Sequence, residues 1–367
     1  MKISFTVIMI YAICGFLYYP SLYSFVALLF VFLSTIPILL IGLKEIENKK
    51  NFSKLNALIF FIVLAVGILN LNVIAHSTGY EFSDIFSLNG VGAIATKSTL
   101  IRYEIDTTAN SGSPILLAIS LWLIFRTALS RENSSKFSIF LAFLPIIFYT
   151  VLTTEKWPTF LAGVFYFAGV FSSSSYRESI SIMKGKLIYT LLIVAIMVLS
   201  LILRGDDSSV FSLVHKLLHY VFSSYYGLGY WIIEKYQNVS MTFGSLTFIG
   251  PLSYFTDIQR EAGVYSNSYY VYDMVSNIYT AFRYVIQDFS LIGPLLINTL
   301  LALIYTLSLK YKFLKISNSV RILVIFIGLL SLNTTPFVHN SVFLAILLAI
   351  LSVTMPRMKF KKRKKIE

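Results

Sequence analysis

Charged residues and cysteine are both scarce in this 367-residue chain. Only 13% of its residues are charged, against about 25% in soluble domains, and 57% are apolar. These proportions exclude a water-soluble globule. A single cysteine, Cys14, excludes a disulfide framework and a zinc site built from cysteines. The aromatic content of 16% excludes a disordered chain.

Motifs for nucleotide and metal chemistry are also missing. The sequence has no Walker loop of the pattern G-x-x-x-x-G-K-[ST], no G-x-S-x-G hydrolase elbow and no Asp-x-Asp pair. His215 and His219 lack the carboxylate spacing of a metalloprotease helix, so we expect structural roles for them. No ionisable residue lies deep inside the apolar runs, which disfavours an ion-coupled transporter. We therefore expect no nucleotide, metal or other cofactor.

Long apolar runs dominate the rest of the sequence. A bilayer core of ~30 Å needs about 20 apolar helical residues. The sequence predicts an all-α polytopic integral membrane protein, a single membrane domain over 1–367 with ten spans, or twelve if 217–233 and 243–256 also cross. The ten spans are 3–19, 22–43, 55–76, 113–129, 137–153, 157–171, 187–203, 289–309, 322–335 and 340–355.

Basic residues sort to one side of these spans. With both termini in the cytoplasm, 22 of the 30 Lys and Arg residues lie on the cytoplasmic side, including a basic tail at 356–367. Of the 17 acidic residues, 12 lie on the outer side. This is the charge bias of membrane insertion. The net charge of +13 therefore reflects orientation, and we expect no nucleic-acid partner.

Two long outer segments, 77–112 and 204–288, separate the spans. Segments of this length are uncommon unless they have a function. Within the second, an apolar repeat of three to four residues predicts an amphipathic helix at the membrane surface. Its apolar face is predicted to carry Phe211, Val214, Leu218, Val221, Phe222 and Tyr225. Its polar face is predicted to carry Ser212, His215, Lys216 and His219.

Cations at the outer ends of spans are candidates for binding an anion, because a charge next to a bilayer is costly without a partner. Arginine also offers a two-pronged fork to phosphate. The candidates are Lys156, Arg204, Arg283 and Arg102. Structural alternatives are a headgroup pair between Glu155 and Lys156, and snorkelling of Arg204.

The residues around Arg283 carry a resemblance to a known family. Residues 277–283 read NIYTAFR, 288–293 read DFSLIG, and Leu-Arg-Gly stands at 203–205. With the spans and the large outer loop, this pattern resembles the Wzy-type O-antigen polymerases of the bacterial inner membrane. That family commonly has Asp-Phe-Gly where this chain has Ser290.

The resemblance implies an enzyme similar to the lipid-using, GT-C-like membrane glycosyltransferases. It implies polymerisation of oligosaccharide repeat units at the periplasmic face, with transfer from an undecaprenyl diphosphate-linked chain to an acceptor unit. Membrane lipid, a chain-length regulator and a flippase of the same pathway are the implied partners. Three alternatives stay open: a flippase or transporter of the lipid-linked oligosaccharide, an O-antigen ligase, and an interaction or scaffold protein of the polysaccharide assembly complex.

The resemblance also suggests roles for single residues. Arg204 and Arg283 are expected to stabilise the diphosphate leaving group. Asp288, His339 and Glu155 are candidates for the base, and comparison with the ligases favours His339. The residues expected to contact the substrate are Asn277, Tyr279 and Thr280.

Overall fold

The computed structural model is a mostly helical chain, as the sequence predicts. It describes residues 1–43, 52–104, 112–185, 194–199, 202, 209–257, 268–272, 274–276 and 279–354. The predicted basic tail at 356–367 lies outside the described residues.

The described residues form fourteen numbered α-helices, a further helical stretch at 194–199, two short 3-10 helices and one β-hairpin. The helices are α1 Lys2–Tyr18, α2 Leu22–Leu43, α3 Ala57–Ser77, α4 Leu88–Glu104, α5 Pro114–Leu129, α6 Lys136–Thr153, α7 Lys156–Ser173, α8 Tyr176–Gly185, α9 Val210–Glu234, α10 Ile249–Leu252, α11 Ala281–Phe289, α12 Gly293–Lys310, α13 Leu314–Leu330 and α14 Asn340–Thr354. The 3-10 helices are Phe82–Phe86 and Tyr236–Asn238, and the strands are β1 Tyr269–Val271 and β2 Met274–Ser276. Residues 194–199 are also helical.

Nine of the ten predicted spans overlap these numbered helices. The tenth, 187–203, lies mostly outside the described residues. Among the described helices, four are long and apolar enough to cross a bilayer: Leu22–Gly42, Ala57–Ser77, Lys136–Thr153 and Gly293–Lys310. Three shorter apolar helices are Lys2–Tyr18, Pro114–Leu129 and Asn340–Thr354. The total number of spans stays a prediction.

Two predicted boundaries are wrong. The apolar run at 289–309 contains a break before α12, which starts at Gly293 with a proline in its first turn, where proline is tolerated. The run at 322–335 belongs to α13, which begins eight residues earlier and ends at Leu330. Its first turns are polar, so hydropathy alone did not include them in the predicted span.

Large apolar side chains remain exposed on α2, α3 and α12. Leu33 and Leu40 on α2 are each 57% exposed, Phe61 on α3 is 59% exposed and Leu300 on α12 is 56% exposed. Soluble monomers rarely expose apolar patches of this extent. Lipid tails solvate such surfaces, so these helix faces indicate a membrane protein.

Several basic segments meet at one end of the bundle, which we call the basic end. Lys2, Tyr176 and Arg321 line a common cavity there. Nearby, Arg131 forms a salt bridge with Glu178 at 2.7 Å. These are segments that the charge pattern assigns to the cytoplasm.

At the opposite end of α1, beyond Tyr18, the second outer segment folds over the bundle. Its Ala281 amide donates to the Ser331 carbonyl (3.0 Å), and its Gly250 amide donates to the Phe337 carbonyl (2.9 Å). We call this the aromatic end, because a group of tyrosine and tryptophan rings lies there.

The predicted amphipathic helix exists as α9, but its buried face differs from the prediction. Phe211, expected on the apolar face, is 82% exposed, whereas His219, expected on the polar face, is 3% exposed. His219 Nδ1 lies 2.6 Å from the Tyr19 hydroxyl. The Ser223 hydroxyl lies 2.9 Å from that of Ser276 in the hairpin. Polar partners distant in sequence thus allow α9 to pack between the bundle and the hairpin.

The outer segments contain two further elements that the sequence did not predict. In the second segment, an antiparallel hairpin pairs Tyr269 with Ser276, so the fold is not purely α-helical. In the first segment, α4 packs near the turn between α6 and α7, where the Thr99 and Thr154 hydroxyls are 2.9 Å apart. Both segments are therefore structured over much of their described length.

The close approach of α9 to α2 at Gly229 is testable by substitution. A Cβ at this position would overlap the carbonyl oxygen of Tyr23. We expect Gly229→Ala to destabilise the protein by about 1–3 kcal/mol through overpacking. In the control variant Gly92→Ala the new Cβ meets nothing within 4 Å. Melting temperatures in detergent check this, and equal values for the two variants would contradict the packing.

Candidate functional site

The structure describes the side chains of seven of the ten residues predicted for the site. These seven are Glu155, Lys156, Tyr279, Thr280, Arg283, Asp288 and His339. All seven lie at the aromatic end, where Glu155 is the N-cap of α7. Arg204 and Asn277 lie outside the described residues, as does the side chain of Arg102 near the end of α4.

The Arg283 side chain lies on aromatic faces. Its guanidinium carbon is 3.9 Å from the ring centroid of Tyr279 and 5.6 Å from that of Trp231. Both distances are within the range of about 6 Å for a cation–π contact. Tyr279 and Trp231 are buried, at 3% and 1% exposure, so their rings form a fixed support for the guanidinium group. Arg283 is half-buried, which leaves part of its side chain at the surface.

Further tyrosine rings pack beside this aromatic support. The Tyr269 ring centroid lies 4.9 Å from that of Tyr279, 6.0 Å from that of Tyr230 and 6.3 Å from that of Tyr226. Tyr23 contacts Tyr226 and Tyr230 at 5.3 and 5.6 Å. We call these five residues the tyrosine cluster. Its Tyr23, Tyr226 and Tyr230 are half-buried, so the cluster reaches the surface.

The tyrosine under Arg283 is electrically neutral. Burial raises the pKa of the Tyr279 phenol, and the positive charge of Arg283 acts in the opposite direction. The phenol therefore stays protonated at physiological pH. A neutral ring supports a guanidinium group without cancelling its charge. The Tyr279 ring therefore holds Arg283 without compensating its charge.

Asp288 is also on α11, about 140° around the helix from Arg283. Its buried carboxylate accepts hydrogen bonds from the Leu246 amide (3.2 Å), the Thr247 amide (2.5 Å) and the Thr242 hydroxyl (2.5 Å). These bonds hold the loop at 242–247 against α11. They favour a positioning role for Asp288 over the predicted role as a base.

Tyr279 and Thr280 also have positions that differ from those expected for substrate contacts. Thr280 is fully buried, and its hydroxyl has no hydrogen-bond partner among the described residues. Tyr279 is buried beneath Arg283. In this structure both residues support the start of α11 and do not line an open surface.

His339 and Lys156 are both next to Trp157. The rings of His339 and Trp157 are 5.1 Å apart, and Lys156 directly precedes Trp157 in the chain. Both His339 and Lys156 are half-buried. The turn that carries His339 also bonds to the first residue of α11, through the Ser331 carbonyl. The structure thus brings the predicted His and Lys together at the same end as Arg283.

An apolar cavity of about 70 Å³ lies beside α11. Its lining includes Phe282, Val285, Ile297 and Phe337. Phe282 directly precedes Arg283, so an apolar space and a cation are adjacent along one helix. This combination suits an amphiphilic ligand with an anionic head.

Part of this site was not predicted from the sequence. Trp231, Tyr226 and Tyr230 come from α9, and Tyr23 comes from the start of α2. The density of aromatic residues at 225–236 is visible in the sequence and is a signal that could have identified the α9 residues. The contact with Tyr23 has no such signal, because it depends on how α9 packs.

No family model, curated protein or solved structure matches the chain. In the part of the chain that the structure describes, no group of three or more His, Cys, Asp or Glu residues is arranged to hold a metal ion. The resemblance to the Wzy-type polymerases therefore depends on the motif residues and the pattern of spans, and it stays a prediction.

The role of Asp288 can be tested by two substitutions. Asp288→Ala leaves buried amides without their acceptor, and we expect it to cost about 3 kcal/mol of stability. Thr242→Val removes only one of the three bonds and should cost about 1 kcal/mol. Chemical denaturation in detergent measures both. If Asp288→Ala retained full stability, the positioning role would be wrong.

The stability of the aromatic end should depend on pH through His219. Burial lowers the pKa of His219 from its usual 6.5, the hydrogen bond to the Val275 backbone acts in the opposite direction, and His215 lowers it. The fold therefore favours the neutral imidazole. Neutral His219 therefore stabilises the folded state above pH 6.5. This stabilisation is lost as the pH falls through the lowered pKa of His219 in the folded state.

We therefore expect the melting temperature to fall as the pH is lowered below about 6.5. The fall should be smaller in His219→Gln, because that variant has no imidazole to protonate. His76→Gln, at an exposed position in the last turn of α3, serves as the control. An unchanged pH dependence in His219→Gln would assign the effect to other groups.

Proposed function

We propose that this chain is a membrane glycosyltransferase that polymerises lipid-linked oligosaccharide repeat units into O-antigen or a related surface polysaccharide. It transfers the growing chain from a polyprenyl diphosphate to an acceptor unit at the periplasmic face of the bacterial inner membrane. The observation that carries the proposal is Arg283, a cation held on aromatic faces at the end opposite the basic segments. In this proposal both termini are cytoplasmic.

The proposed leaving group is a lipid diphosphate, which gains negative charge as the glycosidic bond breaks. Fixed cations next to this group stabilise the transition state. Arg283 offers parallel N–H donors to a phosphate. Lys156 is a second candidate at the same end, and Arg102 and Arg204 remain candidates from the sequence. The diphosphate activates the sugar, so the transfer needs no nucleotide.

The tyrosine cluster supports the proposal because it offers a surface for a saccharide. Aromatic rings with a phenol group pack against apolar C–H groups and also form hydrogen bonds. The half-buried rings of Tyr226 and Tyr230 contact the buried Tyr269 ring, which in turn contacts Tyr279 beneath Arg283. Tyr23 extends this surface through its contacts with Tyr226 and Tyr230. A candidate sugar surface therefore lies next to the candidate diphosphate site.

The polyprenyl chain requires an apolar environment. The cavity beside α11 is lined by Phe282 and Val285 from α11 and by Ile297 from α12. The outer face of α12 exposes further apolar side chains, such as Leu296 and Leu300, each at 56%. We assign the first isoprenoid units of the substrate to this region.

His339 is the preferred candidate for the base that receives the proton of the acceptor hydroxyl. Imidazole accepts protons near neutral pH. His339 lies beside Trp157, next to Lys156 in the chain. The Asp288 carboxylate, by contrast, is occupied by the loop at 242–247.

Deletion of the gene in its host, followed by gel analysis of the surface polysaccharide, tests the proposal. A polymerase predicts loss of the ladder, with a single repeat unit left on the lipid core. Trapping of single lipid-linked units on the cytoplasmic side would instead indicate a flippase. Lipid-linked polymer that never reaches the core would indicate a ligase, and an unchanged ladder would rule out all three.

The role of Arg283 is tested by complementation of that deletion. We expect Arg283→Ala to lower polymer formation by about 100-fold or more, since removal of one group that stabilises a transition-state charge costs about 10²–10³ in rate. Arg283→Lys should restore activity only in part, because an ammonium group lacks the planar fork. The measurement is the polysaccharide ladder, normalised to the amount of protein in the membrane.

Lys235→Ala is the matched control, because Lys235 is an exposed cation just after α9. It should support a normal ladder. A normal ladder from Arg283→Ala would contradict the proposed role. Full activity of Arg283→Lys would show that only a positive charge is needed at this position, and not the geometry of the guanidinium group.

A further inference from the structure

A polar cavity of about 230 Å³ lies at the basic end, away from the site around Arg283. It lies between the starts of α1 and α8, the ends of α2 and α7, and the middle of α13. The polar residues in its lining are Lys2, Ser174, Ser175, Tyr176, Ser179 and Arg321. Among the lining residues that the structure describes, none is acidic. Since a water molecule occupies about 30 Å³ in the liquid, the cavity is large enough for a phosphate group.

Two cationic side chains, Lys2 and Arg321, line this cavity. Arg321 is half-buried, with Nη2 at 3.4 Å from the Phe171 carbonyl and 3.5 Å from the Ser174 carbonyl. Lys2 is also half-buried, with Nζ at 6.0 Å from the Tyr176 ring centroid. Two like charges in one enclosed space repel each other and lose hydration. An anion between them would relieve both costs.

The nearest acidic residue on α8 is engaged elsewhere. Glu178 forms a salt bridge of 2.7 Å with Arg131 and does not line the cavity. The helices α1 and α8 both begin at the cavity, and the first amides of a helix carry partial positive charge. The partial positive charges at the starts of α1 and α8 therefore add to the charges of Lys2 and Arg321.

We propose that this cavity binds the phosphate group of an anionic membrane lipid. It lies where membrane helices end in basic residues, and basic pockets between such helices bind acidic lipid headgroups. Free phosphate has the same binding chemistry and is the alternative source of the group. The proposal is independent of the function proposed for the aromatic end.

Binding to the purified full chain in detergent tests this proposal by native mass spectrometry. The probes are dioleoyl phosphatidylglycerol, dioleoyl phosphatidylcholine and sodium phosphate. We expect phosphatidylglycerol to bind at least 10-fold more tightly than phosphatidylcholine, and to bind at least 10-fold more weakly to Arg321→Gln and Lys2→Gln. Arg177→Gln is the control, because Arg177 is an exposed cation on α8 that does not line the cavity.

The outcomes distinguish a lipid headgroup from free phosphate as the source of the bound phosphate group. Binding of sodium phosphate without preference for phosphatidylglycerol would support a phosphate site that is filled from solution. Equal weakening by Arg177→Gln would show general attraction to surface charge and would overturn the proposal, as would binding of no phosphate compound. Because Arg321 also contacts carbonyls at the end of α7, its variant is compared with wild type by melting temperature. Lys2→Gln tests the same cavity without that contact.

Discussion

The packing of α9 between the bundle and the hairpin is the constraint on which the aromatic end depends. Gly229 allows α9 to approach the backbone of Tyr23, where any larger side chain would overlap the carbonyl oxygen. From this position α9 brings Trp231 to Arg283 and Tyr226 to the tyrosine cluster. A helix lying free on the membrane surface could not provide these contacts, because its rings would face lipid or water.

The helices were largely predictable from the sequence, whereas the site was predictable only in part. Hydropathy of continuous segments is enough to find spans, and charge bias is enough to sort their ends. The contact between Tyr19 and His219 joins residues 200 positions apart, and that between Thr247 and Asp288 joins residues 41 apart. Periodicity assigned His219 to a polar face because it contains no information on distant partners. The candidate cation Arg283 was nevertheless found, since it belongs to a continuous motif.

Cations are held in different ways at the two ends. At the basic end, Arg131 is held by the carboxylate of Glu178, which compensates its charge. At the aromatic end, Arg283 lies on the rings of Tyr279 and Trp231, which fix its position without adding a compensating charge. An arginine held by rings is therefore better suited to attract an anionic ligand than one held by a carboxylate. The cavity around Arg321 and Lys2 shows that enclosed positive charge also occurs at the basic end.

The orientation of Arg283 depends on contacts at both ends of α11. This helix has nine residues, fewer than the roughly 12–15 that are needed for stability in isolation. Its first residue, Ala281, bonds to the Ser331 carbonyl, and its Asp288 carboxylate bonds to the loop at 242–247. With both ends held, rotation of α11 is restricted and Arg283 stays over Tyr279. Loss of activity on substitution of Asp288 would therefore identify Asp288 as a base only if Arg283 kept its position over Tyr279 in that variant.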